Sequence, residues 1–476
     1  MPLSRRNFVR TTAALAGASL LDSTSLLAAP TPFVRRNIGN IDASNPIIDS
    51  YKTAVAAMQT LPHTDPTSWV YQAAIHGTTL TDNLPAWRTC THGNYFFLSW
   101  HRMYLWFFER IVRAKSGDPN WALPYWDWEN LSQRHLPPMF RTGGGVLTIA
   151  NRGAGWNDGT SFLGAGSVNT SFAMAETPFN SFSSSLESPH GAIHGSIGGW
   201  MGSVARAAQD PIFWLHHCNI DRYWNLWLAQ GGGRTMPLGS SASDLAWKNT
   251  QFTFFDENGQ QVQLTGCDIL RAQDQLNYVY ECEPVQVEKF CRFIFVPPEW
   301  VRDVLIRFPF DRRVVLPPRP PRPPLPDPLP IDIDIRGLRT QLRGIAADPA
   351  TDLTLELTDV SADRQPDVFW EVYVGLPAGV QPVATSPHFV GTLALFGHGI
   401  TGDRHVHGEF KPAQFSYKID RAVMAALRRN PELGRLRVIL VPRSAEGTAF
   451  TSEANATLTI GGAALSVRRL RQGRPQ

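Results

Sequence analysis

Cysteine is scarce in this chain of 476 residues: five in all, Cys90, Cys218, Cys267, Cys282 and Cys291, none in a CxxC pair. That number and spacing exclude a disulfide scaffold. The odd count leaves one thiol unpaired, and Cys282 with Cys291 either closes a loop in an oxidising compartment or stays as two free thiols. Charge of one sign is missing as well. Against 44 basic side chains stand 41 acidic ones, a net charge of +3, too balanced to point to nucleic acid or an anionic lipid surface as partner. No apolar run reaches about 20 residues, so no membrane span is expected, and there is no internal repeat. Hydrophobic residues at 43% and charged ones at 18% exclude collagen, a coiled coil and wholesale disorder. What the chain has in quantity is aromatic: 15 Trp and 26 Phe, most of the Trp before residue 300, which puts the denser core in the first half. The length allows two or three domains.

The N-terminus reads Met1-Pro-Leu-Ser-Arg-Arg-Asn-Phe-Val, followed by an Ala-rich apolar run from Ala13 to Leu21 and by Leu27-Ala28-Ala29-Pro30. Residues 1–29 therefore read as a twin-arginine signal, with a weakly hydrophobic stretch broken by Gly17 and Asp22; the alternative is a basic tail. That route carries folded proteins, which suits a chain that acquires a metal before export to the periplasm or beyond. Over 30–296 the pattern is helical. Apolar spacing predicts helices from Ile47 to Thr60, from Asn94 to Lys115, around His190 and from Asp210 to Leu228, while the Gly-, Ser- and Asn-rich stretch from Ser132 to Ser185 reads as long loops. Residues 297–345 form a linker whose Pro317–Pro330 part has proline at most positions, a stiff polyproline II spacer or a PxxP ligand. From Leu353 onward short alternating runs between turn signals predict an antiparallel β-sandwich over 346–476, interrupted by one helix near Asp420 to Arg429. The fold class is thus a mainly α domain followed by a β-sandwich domain.

Nine of the 13 histidines precede residue 220, and six of those lie in three short motifs. His190 and His194 are i and i+4, so on a helix both imidazoles leave one face and can share a metal. Two surface histidines one turn apart would look the same. His216 and His217 are adjacent in an aromatic helix, where neighbouring side chains diverge, so at most one joins a metal. His92 and His101 stand nine apart, and His76 precedes them in Tyr71-Gln-Ala-Ala-Ile-His76-Gly. Two three-histidine sets emerge. With no carboxylate or thiolate pattern nearby they suit copper, zinc or nickel, since magnesium and calcium prefer oxygen.

The strings Cys90-Thr-His92, Trp100-His101-Arg102, Leu123-Pro-Tyr-Trp-Asp-Trp, Pro189-His190 to His194, and Asp210-Pro-Ile-Phe-Trp-Leu-His-His with Asp221-Arg222 resemble the type 3 copper family of tyrosinases, catechol oxidases and haemocyanins. The resemblance runs from about Arg35 to Tyr280. It implies a four-helix bundle around two copper ions, CuA held by His76, His92 and His101 and CuB by His190, His194 and His217, with His216 behind them. Cys90 has the spacing of a thioether to His92, the alternative being an ordinary buried thiol. Tyr278-Val-Tyr280 resembles the family's closing tyrosine motif, on which Arg35 or Arg36 would stack. Beyond the linker, Ser386-Pro-His-Phe-Val-Gly-Thr, Leu440-Val-Pro-Arg and Ile460-Gly-Gly-Ala-Ala-Leu look like the C-terminal domain of plant-type polyphenol oxidases. That implies a latent zymogen whose lid covers the copper site, with Phe389 or Phe396 as the plug. His398, His405 and His407 cluster in a Gly-rich loop, either to capture copper or as a solvated loop.

The family's chemistry implies small phenolic substrates, O2 as co-substrate and a part in melanin biosynthesis. A copper chaperone and an oligomer are compatible with it. Catechols would be oxidised to o-quinones. Monophenol hydroxylation also needs a carboxyl and an Asn that together hold a water; Glu187 is the candidate acid, or else only a helix N-terminal carboxylate. Gly191 stands where that Asn is expected, which argues against the hydroxylase step. Val204, thirteen before His217, resembles the small gate residue of bacterial tyrosinases, and Gly195 leaves the entrance open. The expectation is a tyrosinase with both activities, the alternatives being a catechol or o-aminophenol oxidase, a haemocyanin-like O2 carrier and a non-catalytic zinc protein.

Overall fold

The computed structural model describes residues 31–281 without interruption and, beyond them, 306–309, 314–315, 328–335, most of 351–399, 412–419, 423–424, 434–443 and 456–469. The signal segment, the proline run, Cys282, Cys291, His398, His405, His407 and most of the helix expected near Asp420 lie outside the described residues. The chain divides into Met1–Pro32 and Phe33–Gln476, and all that follows concerns the second unit.

Five helices position the site. In α1 (Pro46–Gln59) Asn45 accepts the Ile47 N–H, Pro46 occupies the first turn, and Ile48, Tyr51, Val55 and Met58 bury one face. Helix α2 (Trp69–His76) is capped by Ser68 and ends at His76. Helix α3 (Phe97–Ser116) stops at Gly117, whose φ of +72° is left-handed. Helices α4 (Phe179–Ile197) and α5 (Ile212–Ala229) complete the bundle, and α3 packs against α1, α4 and α5. The first residue of α5 is held by Asp210, which accepts the Ile212 N–H at 3.1 Å and is itself clasped by both Arg152 nitrogens at 2.7 and 2.6 Å. The stretch Phe179–Ser185, expected as loop, is the first two turns of α4. Its serines are poor helix formers, but Phe182 and Leu186 at i and i+4 are fully buried, and that packing outweighs propensity.

Strand β1 (Phe33–Arg35) runs parallel to β2 (Tyr278–Tyr280) and closes the helical part upon itself. Of the two arginines expected to stack, it is Arg35 that lies 3.6 Å from the Tyr278 ring centre. Its guanidinium also pairs with Glu109 at 2.8 Å and with Asp221 at 3.2 Å. Asp221 is bonded in addition by Arg102 and by the Tyr278 and Tyr280 hydroxyls, so this buried charge is fully compensated.

The C-terminal part is a two-sheet sandwich. Its strands are β3 (Ile306–Pro309), β4 (Val314–Val315), β5 (Leu329–Asp334), β6 (Thr351–Ala362), β7 (Phe369–Val374), β8 (Phe389–Leu393), β9 (Ala413–Lys418), β10 (Arg435–Arg443) and β11 (Leu458–Arg469). One sheet has the order β8-β7-β10-β5; the other is β9-β6-β11-β3, with β4 also on β11. Three of these strands come from the segment expected to be linker. In β5 the alternation Ile331, Ile333 turns both side chains into the sandwich core, a signal the neighbouring prolines hid.

This sandwich packs on α4 through β7, β8 and β9. Ala192 of α4 is buried with Phe369 and Ala394. The Thr392 hydroxyl donates to the Gly166 carbonyl at 3.1 Å, and Glu371, which accepts from Tyr373 and Arg443 at 2.8 Å each, lies against Gly166 so closely that a side chain there would collide with it.

Candidate metal centre

The bundle turns seven imidazoles toward one another. His76 ends α2, His92 stands in the loop before α3, and His101 is one turn into α3. His190 and His194 lie on α4, and His216 and His217 on α5. The candidate ligand atoms of His76, Cys90, His92 and His101 lie within 4.8 Å of one another, as do those of His190, His194, His216 and His217. The two groups face each other. The His101 and His217 rings stack at 4.3 Å and 11°, and His92 and His190 at 5.5 Å and 25°.

Ring orientation is set by backbone carbonyls. The Nδ1 atoms of His76, His101 and His194 lie 3.0, 2.8 and 2.8 Å from the carbonyl oxygens of Val204, Phe97 and Met201. A carbonyl only accepts, so each Nδ1 carries the proton and each Nε2 is left with a bare lone pair. His76 Nε2 is buried with no protein partner. The Nε2 atom of His217 is 3.3 Å from that of His190 and 3.2 Å from that of His194, so the three nitrogens converge within reach of a single ion. Such a set fits a borderline or soft metal ion and suits the two copper ions of the family described below.

Burial pushes the His76 imidazole down to about 4 and that of His216 to about 3. His101, His190, His194 and His217 are driven well below the usual value by burial and by one another. These rings fold neutral, whereas the unfolded chain takes up protons below about 6.5. Stability therefore falls as pH drops from about 6.5 toward the folded values. In the copper-free protein the neutral His76 and His216 rings should each cost on the order of 1.5 kcal/mol between pH 6.5 and 5, and the other four act in the same direction. Urea midpoints at pH 7.5 and 5 should differ by several-fold less denaturant at the lower pH; equal midpoints would contradict the burial of these rings. Glu187 acts in the opposite sense, but it is one group against six.

Glu187, buried on α4, accepts the Gly93 N–H at 2.7 Å and bonds the Asn94 backbone too, tying α4 to the His92 loop. Burial raises its carboxyl to about 8 despite those bonds. Val204 is buried and serves His76 through its carbonyl; Gly77 permits this approach, since a Cβ there would lie 2.6 Å from that oxygen. Cys90 Sγ is 3.6 Å from Nδ1 and 3.9 Å from Nε2 of His92, and so faces the ring edge between them. His216 comes closer than divergence on a helix suggests, its ring 5.3 Å from that of His190 and nearly parallel to it.

The lid tip enters the centre. The Phe396 ring lies parallel to that of His194, 3.8 Å away at 12°, and contacts the rings of His76, His92 and His190 at 5.6 to 6.4 Å. Phe389, the other expected plug, packs instead on Tyr373 and Phe172. Gly397 was not foreseen: a Cβ on it would fall 2.3 Å from His92 Nδ1, so only glycine fits, and its φ of +74° favours glycine too. Its place within Leu395-Phe-Gly was the sole sequence signal.

A helical bundle bringing two imidazole groups face to face, under a β-sandwich lid, defines a dinuclear metal protein. Residues 66–153 and 150–230 match the common central domain of tyrosinase, and residues 242–289 match the polyphenol oxidase middle domain. Over these residues the chain is similar to the type 3 copper proteins of the tyrosinase and polyphenol oxidase family. It is 37% identical over 290 residues to a tyrosinase from Hahella sp. (strain CCB-MM4), covering 48% of this chain and 59% of that one. It is 30% identical over 293 residues to the latent form of a chloroplastic polyphenol oxidase from Prunus armeniaca, covering 50% and 48%. The chain thus spans about half to three fifths of the length of these relatives. The fold of a latent aurone synthase, a polyphenol oxidase, superposes over 94% of this chain and 91% of that one with a TM-score of 0.65 at 20% identity. Among the described residues no helix is long and apolar enough to cross a membrane.

Proposed function

We propose that this chain is a latent tyrosinase-like polyphenol oxidase, which oxidises monophenols and o-diphenols to o-quinones with O2. In this reading His76, His92 and His101 hold one copper ion and His190, His194 and His217 the other, with His216 supporting His190 from behind. The carrying observation is Phe396, an aromatic ring lying flat on a candidate ligand at the mouth of the imidazole cluster. A phenol entering in its place would find the same stacking surface.

Two copper ions bound there supply the redox step that passes two electrons from a catechol to O2. The protein's share is positional. The carbonyls of Val204, Phe97 and Met201 hold three imidazoles in one tautomer and orientation. Phe97 and Phe213 pack edge-on against His101 and His76 at 4.9 Å each and keep water from the back of the cluster. Val204 is the gate residue of this reading, its carbonyl already engaged by His76. In this reading Cys90 forms a thioether to His92 in a two-electron oxidation by O2, which takes the thiol hydrogen and one ring hydrogen and leaves as hydrogen peroxide; the peptide holding both residues would be lighter by two hydrogens.

The layout follows the same reading with one change: a twin-arginine signal over 1–29, the dicopper domain over 30–296, and a lid that takes in β3, β4 and β5 from the segment expected as linker as well as residues 346–476. The latent form of the matched relative supports the lid's role.

A second reading, oxidation of catechols alone, is favoured by Gly191, which offers no amide, and by Glu187, whose carboxyl is bonded to the backbone of Gly93 and Asn94. Oxygen uptake by copper-loaded protein with tyramine and then 4-methylcatechol, before and after cleavage at a protease site introduced between β2 and β3, within 282–305, separates the two. Uptake with both after cleavage supports the latent tyrosinase. Uptake with the catechol alone supports the second reading, and none with either rejects both.

A further inference from the structure

We propose that the missing side chain at position 191 is what lets the lid close, so that one position on α4 sets both the seating of the lid and the chemistry beside the phenol. The proposal rests on the latent reading above. Gly191 follows His190 inside α4 and is buried. A Cβ built on it would lie 3.2 Å from the Cβ of Ala394 and 3.2 Å from the Cβ of Phe396. Both carbons are fixed directly to the lid backbone, so neither can swing aside as the end of a long side chain does. Relief requires the backbone of 394–396 to lift from the helix.

That backbone carries the plug. Phe396 stacks on His194 at 3.8 Å, and the adjoining Gly397 lies against the His92 ring with no room for a Cβ. In a close-packed contact even a small lift is felt at the stack. Helix stability does not account for Gly191, because glycine inside a helix is less favourable than alanine. Gly195, one turn on in the same helix, is the matched case: a Cβ there meets nothing within 4 Å. Asparagine at 191 would need the space that Ala394 and Phe396 fill. A closed lid and a water-holding amide at that position therefore exclude each other in this chain.

The test compares Gly191→Ala, Gly191→Asn and Gly195→Ala with the unaltered full-length chain. Backbone hydrogen exchange of residues 389–397 is followed in copper-free protein. The rate of 4-methylcatechol oxidation by copper-loaded protein is measured before and after cleavage at a site introduced between β2 and β3, within 282–305. Exchange at 392–396 should accelerate at least about tenfold in Gly191→Ala, the scale of one overpacked contact, and further in Gly191→Asn. The after-to-before rate ratio should fall by a like factor in the Gly191 variants, while Gly195→Ala, the packing control, keeps the exchange at the unaltered value. Unchanged exchange and ratio in both Gly191 variants would overturn the proposal, as would an equal effect of Gly195→Ala. Should Gly191→Asn fail to fold, Gly191→Ala carries the test, since it strengthens the helix. If the unaltered chain gains nothing on cleavage, the latent reading fails, and the copper-free exchange still decides the role of Gly191.

Discussion

Replacing Phe396 with glycine is expected to raise catechol oxidation by the uncleaved chain about tenfold to a hundredfold. The ring is buried, parallel to His194 at 3.8 Å, and bounded by His76, His92 and His190. Its removal acts twice. It empties the aromatic-shaped space that a phenol needs, and it withdraws a buried side chain from the lid contact. Loss of a buried Phe costs roughly 3 kcal/mol, which is about a hundredfold in a closing equilibrium at 1.4 kcal/mol per factor of ten. Phe389→Ala is the comparison, because Phe389 packs on Tyr373 and Phe172 rather than on an imidazole. It should unmask the uncleaved chain far less. Oxygen uptake with 4-methylcatechol reads both variants. A Phe396→Gly chain no more active than the unaltered one, when cleavage does activate the latter, would remove Phe396 as the plug.

The second large effect is on metal content. His217→Ala is expected to lower bound copper from two ions to one or fewer and to weaken affinity at that half of the site by more than about a hundredfold. Even loss of a partner that only orients a ligand costs about 10- to 100-fold in affinity. His217 Nε2 lies 3.2 to 3.3 Å from those of His190 and His194, and its ring stacks on His101 at 4.3 Å, so it stands where the two groups meet. His216 lies beside His190 with its ring nearly parallel, a supporting position. His216→Ala should keep two copper ions with affinity reduced by no more than about a hundredfold. Copper analysis and competition with a chelator measure both. The reverse outcome, metal kept without His217 and lost without His216, would exchange their roles.

Much of the helical half was legible because its signals are local. The apolar spacing of Ile47 to Thr60, Asn94 to Lys115 and Asp210 to Leu228 matches α1, α3 and α5, and the i, i+4 spacing of His190 and His194 puts two imidazoles on one face whatever else the chain does, whereas the short helix α2 that ends on His76 was not read. Where the reading differed, long-range packing overrode local preference. The serines of 179–185 are helical because Phe182 and Leu186 are buried, and 329–334 is a strand because Arg435–Leu440 pairs with it across about a hundred residues.

By itself the sequence singled out the residues on which the proposed chemistry rests, the six histidines, Cys90 and Glu187, together with the division into a helical and a β part. A helix repeat and a capping residue act over a few positions, so they can be read in one dimension. Only the tertiary structure decided which nitrogen of His76 and of His194 faces inward, because the carbonyls of Val204 and Met201 that choose it arrive from outside their helices. It alone chose Phe396 over Phe389, and it alone gave Gly191 and Gly397 their meaning, for a glycine matters through what its absent Cβ would strike, and here that is a part of the chain some 200 to 300 residues distant.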